Sequence, residues 1–195
     1  MPKLEELDNI NKKIKNTNFN NSLFTIGFVT GASGRWQGKA WPPSYYANLA
    51  QKILKKYPEC LIILLGGDLE EKTNHSILDQ IRKENKSLLK RINNINTKES
   101  IRLFGAMFSI IDLVVTGDTL GLHLALSANC RVVVLVGPTS ASELELYNHG
   151  TVLTPPDECK CYYKNSCEYT PSCMETIYPE FVLEKLEREI LLLKK

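Results

Sequence analysis

Short β-branched apolar runs alternate with longer amphipathic runs over most of this chain, an order that points to parallel strands joined by helical crossovers. Six runs qualify as strands: 24–30, 60–65, 88–92, 112–116, 131–136 and a weaker one at 151–154. Between them, 43–57, 70–83, 98–110 and 119–128 repeat apolar residues near the helical period. A last helix is expected over 179–194, where Phe181, Val182, Leu186 and Ile190 stand against alternating charges. Pro42 and Pro43 open the first of these helices, because their fixed φ suits a first turn. Right-handed crossovers then give an α/β fold, a Rossmann-like doubly wound parallel sheet in the order 3-2-1-4-5-6.

With 195 residues the chain has room for one main core, expected over 24–195 and including a Cys-bearing loop at 155–174. Segment 1–23 is polar, with Leu4, Leu7, Ile10 and Ile14 at helical spacing before an Asn-rich stretch, and reads as a short helix and linker. The 24 Lys and Arg nearly balance the 22 Asp and Glu, which excludes a dedicated nucleic-acid binder. No apolar window approaches membrane-spanning length, and the first 23 residues hold no hydrophobic signal region. A cytoplasmic location is expected.

In that strand order the loops after strands 1 and 4 flank the switch point and should open into one crevice. The first, T-G-A-S-G-R-W-Q-G-K (30–39), offers Gly31, Gly34 and Gly38 for close backbone approach, and Arg35 and Lys39 for an anion. The second, V-V-T-G-D-T-L-G-L-H (114–123), passes from strand to helix at Asp118 or Thr119 and so aims free N–H groups into the crevice, a ready site for a diphosphate. Thr119 and His123 are four residues apart and share a helix face. Purely structural roles compete: a flexible turn for the first loop, an N-cap for Asp118 and a packed core residue for His123.

The Gly-rich loop followed by K-A-W-P-P, then L-L-G-G-D-x-E-E, T-G-D-T-L-G-L-H and V-G-P-T-S, each at a strand end and in this order, resembles glycosyltransferase family 9, the heptosyltransferases. The Cys-bearing tail ending in Cys173-Met174 is similar too, so the resemblance runs from Phe24 to about Lys194. It implies one half of a GT-B glycosyltransferase: the C-terminal domain, which binds an ADP-sugar donor such as ADP-heptose and uses no catalytic metal and no cofactor. Lys39 matches the family lysine that meets the donor phosphates and is the catalytic candidate, stabilising the leaving group. Thr30, Gly31, Ala32, Asp118, Thr119, Leu120, Gly121 and His123 complete the implied donor site. Leu120 stands where the commonest family pattern has Gly, and Gly121 follows it. The family's general base lies in an N-terminal domain with no counterpart in these residues, so this chain alone is expected to bind donor without transferring it. The implied acceptor is a lipid-anchored saccharide of lipopolysaccharide type, met through that other domain with inversion at the anomeric carbon.

Cys60 and Cys130 fall in or beside apolar strands and read as packing residues. Cys159, Cys161, Cys167 and Cys173 form C-x-C-x5-C-x5-C, which is not a standard zinc-ribbon spacing. They are read first as reduced thiols packing a compact loop, with no metal assigned; a zinc or iron–sulfur clip, and with it a nucleotide-binding module without transferase activity, is the alternative. Seven cations between Arg82 and Arg102 face only Glu84 and Glu99, a surplus read as a solvated surface before peripheral contact with anionic lipid. Glu143 and Glu145, after strand 5, could meet a sugar hydroxyl or only water. A nicotinamide oxidoreductase is the remaining rival, since T-G-A-S-G resembles the short-chain dehydrogenase loop, but none of the eight Tyr has Lys four positions on.

Overall fold

The structure, a computed structural model, describes residues 10, 14, 24–32, 36–98, 100–157 and 159–193. Strands β1 (Phe24–Val29), β2 (Cys60–Gly66), β3 (Ile92–Asn96), β4 (Leu113–Gly117), β5 (Arg131–Leu135) and β6 (Gly150–Leu153) form one sheet in the order β3-β2-β1-β4-β5-β6. All five pairings are parallel, as expected of a doubly wound sheet. The helices are α1 (Pro43–Lys56), α2 (Glu71–Asn85), α3 (Ile101–Met107), α4 (Leu120–Ser127) and α5 (Pro179–Leu193). No helix among the described residues is long and apolar enough to cross a membrane.

The strands read as continuous apolar runs because both sheet faces are covered. In β2, Cys60, Ile62 and Leu64 enter one core with Tyr46 and Ile53 of α1, Ile81 of α2 and Leu186 of α5. Ile63 and Leu65 point the other way, into a second core with Leu103 of α3 and Leu122 and Ala125 of α4. The strand period of two thus sends alternate residues to opposite layers. Ile10 is buried in the second core, and the Ile14 N–H donates to its carbonyl at 3.0 Å; Leu4 and Leu7 lie outside the described residues.

One strand stands apart from the sequence expectation. The apolar pair Leu88 and Leu89 lies in a 3-10 helix, Lys86–Arg91, and β3 follows it as Ile-Asn-Asn-Ile-Asn. Asn is a poor strand former, but β3 is an edge, buries Ile92 and Ile95, and is bonded by side chain: Asn74 Nδ2 donates to Asn94 Oδ1 at 2.9 Å. The expected helix at 98–110 is also shorter, its last turn tightening into a 3-10 helix, Phe108–Ile110.

The basic stretch is not one surface. The Arg91 guanidinium turns inward to the carbonyls of Leu54, Tyr57 and Pro58, closing the C-terminal end of α1. Arg82 pairs with Asp79, and Lys98 with Asp68. At the opposite edge, α5 is tied to the sheet by a buried carboxylate: Glu189 accepts from Arg131 Nε at 2.5 Å and from Thr151 Oγ1 at 2.7 Å. Glu189→Ala would leave the Arg131 charge half-buried without its partner. A loss of about 2–3 kcal/mol is expected in urea denaturation, below the worth of a fully enclosed pair because Arg131 keeps some water. An unchanged midpoint would show that α5 is held by its apolar face alone.

Candidate functional site

Parallel β1 and β4 are neighbours, paired Ile26↔Leu113 to Phe28↔Val115, and their crossovers leave in opposite directions along the sheet. Their carboxyl ends therefore open into the crevice that the topology requires. On the β1 side the chain runs through Thr30, Gly31 and Ala32 to a 3-10 turn, Gln37–Lys39. Ser33, Gly34 and Arg35 lie outside the described residues. On the β4 side Thr119, in extended conformation (φ −144°, ψ 173°), leads directly into α4.

These two loops meet. Lys39 Nζ lies 2.9 Å from Asp118 Oδ2 and 3.3 Å from the Asp118 carbonyl oxygen. The pair is largely enclosed, with side-chain exposures of 14% and 24%. The Lys39 ammonium also stands 5.2 Å from the centre of the Trp36 ring, a cation–π contact that limits where it can move. Asp118 is thus more than a helix cap: it gathers a cation from 79 residues away to the N-terminus of α4. There, Leu120 and Gly121 have no carbonyl ahead of them in the helix for their N–H groups, and the Thr119 side chain caps neither.

Gly121 explains how α4 comes so close to β1. A Cβ there would lie 2.8 Å from Val29 Cγ1 and 3.4 Å from the Phe104 ring, so only hydrogen fits. Beside it lies a cavity of about 290 Å³. Its apolar side is Val29, Leu69, Phe104 and Leu120; its polar side is Glu70, Thr97, Thr119 and backbone at Gly31 and Gly67. Leu69 is 72% exposed and Leu120 half exposed, so the cavity has an apolar mouth.

Two predicted residues stand differently. Thr30 is buried and its hydroxyl is held by Asn74 Oδ1 at 2.6 Å, so it anchors the loop to α2 instead of presenting the hydroxyl to the crevice. His123 is exposed, one helical turn beyond Thr119, which excludes a packed core histidine. Gly31 and Ala32 are half-buried beside the crevice. Glu143 accepts from the Tyr163 hydroxyl at 2.6 Å, and Glu145 from the Tyr147 N–H at 2.7 Å, so both serve local structure.

Sequence reasoning missed Glu70. Its carboxylate accepts the Gly67 N–H at 2.8 Å and lies against Gly31, and its Cβ lies against Gly66, so a Cβ on either Gly would clash with Glu70. The signal was present in G-G-D-x-E-E, where two Gly precede an acid at the end of a strand. Three of the four tail cysteines, scattered in sequence, converge: Cys159 Sγ is 3.3 Å from Cys161 Sγ, which is 3.7 Å from Cys173 Sγ. Burial pushes the Cys173 thiol up to about 12, aided by hydrogen bonding to Cys159. Burial also raises Cys167, but hydrogen bonds from the backbone of Tyr169, from Cys161 and from Cys173 outweigh it and hold that thiol below its usual range. Cys60 and Cys130 are buried packing residues, as expected.

Fold and site together define a doubly wound α/β domain with a crevice at its switch point, where Lys39 meets the N-terminus of α4. The model of glycosyltransferase family 9 (heptosyltransferase) matches residues 3–170, and the chain belongs to that family. A search of curated proteins gave no match. Among solved structures, ADP-heptose LPS heptosyltransferase II of E. coli superposes with a TM-score of 0.78 at 20% identity, over 100% of this chain and 54% of that one. The family 9 glycosyl transferase of Veillonella parvula gives 0.78 at 19%, over 98% and 53%. The E. coli heptosyltransferase WaaC with ADP-2-deoxy-2-fluoro heptose gives 0.62 at 16%, over 91% and 47%. This chain therefore spans about half the length of these solved relatives, and its fold is that of one Rossmann-like half of a GT-B glycosyltransferase.

The contact of Gly121 with Val29 makes a prediction of unusual sign. In an ordinary helix Gly→Ala stabilises by roughly 0.5–1 kcal/mol. Gly121→Ala is expected instead to destabilise by about 1–3 kcal/mol, because α4 must lift from β1. Urea denaturation decides it, and a stabilised variant would show that the helix has room.

Proposed function

We propose that this chain is the donor-binding half of a heptosyltransferase-like enzyme, which transfers a sugar from an ADP-activated donor to a lipopolysaccharide-type acceptor with inversion. The observation that carries this reading is the meeting of Lys39 with the N-terminus of α4, beside a cavity that is apolar on one side and hydroxyl-seeking on the other. Membership of family 9 and the likeness to a heptosyltransferase solved with ADP support the choice of ADP as the nucleotide.

In the proposed mode the base covers Leu69, Phe104 and Leu120. Glu70, an acid at the end of β2, accepts the ribose hydroxyls, the part such a residue plays in nucleotide-binding sheets. The diphosphate lies on the N–H groups of Leu120 and Gly121, where the helix dipole favours negative charge. Lys39 reaches it by a short swing away from Asp118. His123, further along and exposed, faces the part of the ligand that extends toward the sugar.

The chemistry follows from charge. As the acceptor hydroxyl attacks the anomeric carbon, the bond to the β-phosphate breaks and negative charge grows on the departing ADP. Lys39 and the α4 N–H groups stabilise that charge more than they stabilise the intact donor, so they act on the rate as well as on binding. The acceptor and the base that takes its proton belong, in this reading, to the half of the GT-B fold that the relatives have and these 195 residues do not cover.

Calorimetric titration with ADP, UDP, NAD and inorganic pyrophosphate tests the reading. Saturable ADP binding with NAD silent is expected. Lys39→Ala should weaken ADP roughly 10- to 100-fold, the worth of a charge-assisted hydrogen bond. Glu70→Gln should weaken ADP and bind pyrophosphate at least as tightly as the wild type. ADP binding equal in wild type and Lys39→Ala would remove the site from the crevice.

A further inference from the structure

Between β6 and α5 the described chain runs through 154–157 and 159–178 without a helix or strand. Stretches of that length inside a compact domain are uncommon and need something to hold them. Four tyrosines in it, Tyr162, Tyr163, Tyr169 and Tyr178, are about half exposed, and its buried Met174 and Ile177 join the core of the sheet, so the segment has little core of its own. What lies at its centre is sulfur. Cys159, Cys161 and Cys173 place their Sγ atoms within 4.8 Å of one another, with Cys159 and Cys161 buried. Cys167 lines the same open depression of about 440 Å³ as the other three.

Disulfides join sulfurs in pairs, at about 2.05 Å. Here Cys161 faces two other sulfurs at once, at 3.3 Å from Cys159 and at 3.7 Å from Cys173, and Cys167 stands on the wall of the same depression. That is the geometry of a shared centre. Four sulfurs held about 2.3 Å from one ion stand roughly 3.8 Å apart along the edges of a tetrahedron. A four-iron cluster would spread them further. We propose that Cys159, Cys161, Cys167 and Cys173 bind a single zinc ion in tetrahedral thiolate coordination. Each thiol loses its proton to solvent as its Zn–S bond forms. This departs from the expectation of reduced, metal-free packing thiols, and it is independent of what nucleotide the crevice binds.

The centre would act as a staple with a defined reach. The Asn165 carbonyl, between Cys161 and Cys167, accepts the Gly38 N–H at 2.8 Å, and Gly38 precedes Lys39. A Cβ on Gly38 would make ordinary van der Waals contact with the backbone of Asn165 and Ser166, at 3.4–3.5 Å, so the turn already lies close against that loop. On the other side the Tyr163 N–H donates to the Pro138 carbonyl at 2.7 Å, while Cys173 and Met174 fill the space over Gly137. The ion thus fixes the turn that carries Lys39 to the end of β5.

Metal analysis of the whole chain, purified under reducing conditions and dialysed from zinc into metal-free buffer, is expected to give one zinc per chain. Cobalt(II) in its place should show the intense visible bands and thiolate charge transfer of tetrahedral sulfur coordination, lost in Cys161→Ser and in Cys173→Ser. Should those variants misfold, removing zinc from the wild type with a chelator and restoring it reads the same site. Chelation should also strip hydrogen-exchange protection from the Gly38 amide; unchanged protection would overturn the coupling to the Lys39 turn. Folded wild type that holds no zinc and shows no cobalt bands would overturn the site, as would mass spectrometry finding disulfides among the four. Iron at the same stoichiometry in purified protein that refuses zinc would overturn the assignment to zinc.

Discussion

The arrangement of the crevice depends on β1 lying beside β4. Because β2 and β3 extend the sheet on one side of that pair and β5 and β6 on the other, the chain leaves β1 and β4 toward opposite edges. No crossover then covers the gap between their carboxyl ends. Into that gap the fold sends a helix N-terminus, and the absence of a side chain at Gly121 lets it rest on Val29. The position of the site is therefore a property of topology, while its chemistry comes from the short loops that the topology leaves free. The same logic explains why Lys39 and Asp118, so far apart in sequence, are neighbours.

Those parts of the fold whose stability lies in burial were legible in the sequence. The four inner strands, β1, β2, β4 and β5, announce themselves by strong apolar runs because both of their sheet faces are covered, while the half-buried edge strand β6 gives only a weaker run. β3 was not legible, since an edge strand gains less from burial. Its three Asn are tolerated through side-chain bonds to Asn74 and to neighbours that no local pattern announces. Leu88, in the preceding 3-10 helix, offered the stronger apolar signal and misled.

The site divides along a similar line. Lys39, Asp118, Thr119 and Gly121 could be read because charge and glycine at a strand end carry local meaning. Thr30 was misread because what decides its role, the hydroxyl bond to Asn74, spans 44 residues. Glu70 escaped notice because a carboxylate beside two Gly looks like a solvated turn until its packing against Gly31 is seen. The cysteine convergence was hidden for another reason: its spacing follows no common knuckle, and the fold of an irregular loop, not a periodic element, brings the sulfurs together.

A cation already paired with a carboxylate is an unexpected feature of the proposed anion site, and its energetics bear on the selectivity such a site would have. Separating Lys39 from Asp118 forfeits a half-buried ion pair, so an incoming anion gains only the difference between its own attraction and that of Asp118. A singly charged anion would gain little by the exchange. A diphosphate carries more charge and can occupy the α4 N–H groups together with Lys39, so it can exceed what the carboxylate offered. Glu70, on the far side of the cavity, repels a bare polyanion but accepts hydroxyl donors. A site flanked by two carboxylates in this way favours an anion that arrives attached to a hydroxylated ring, and its selectivity comes as much from what it repels as from what it holds.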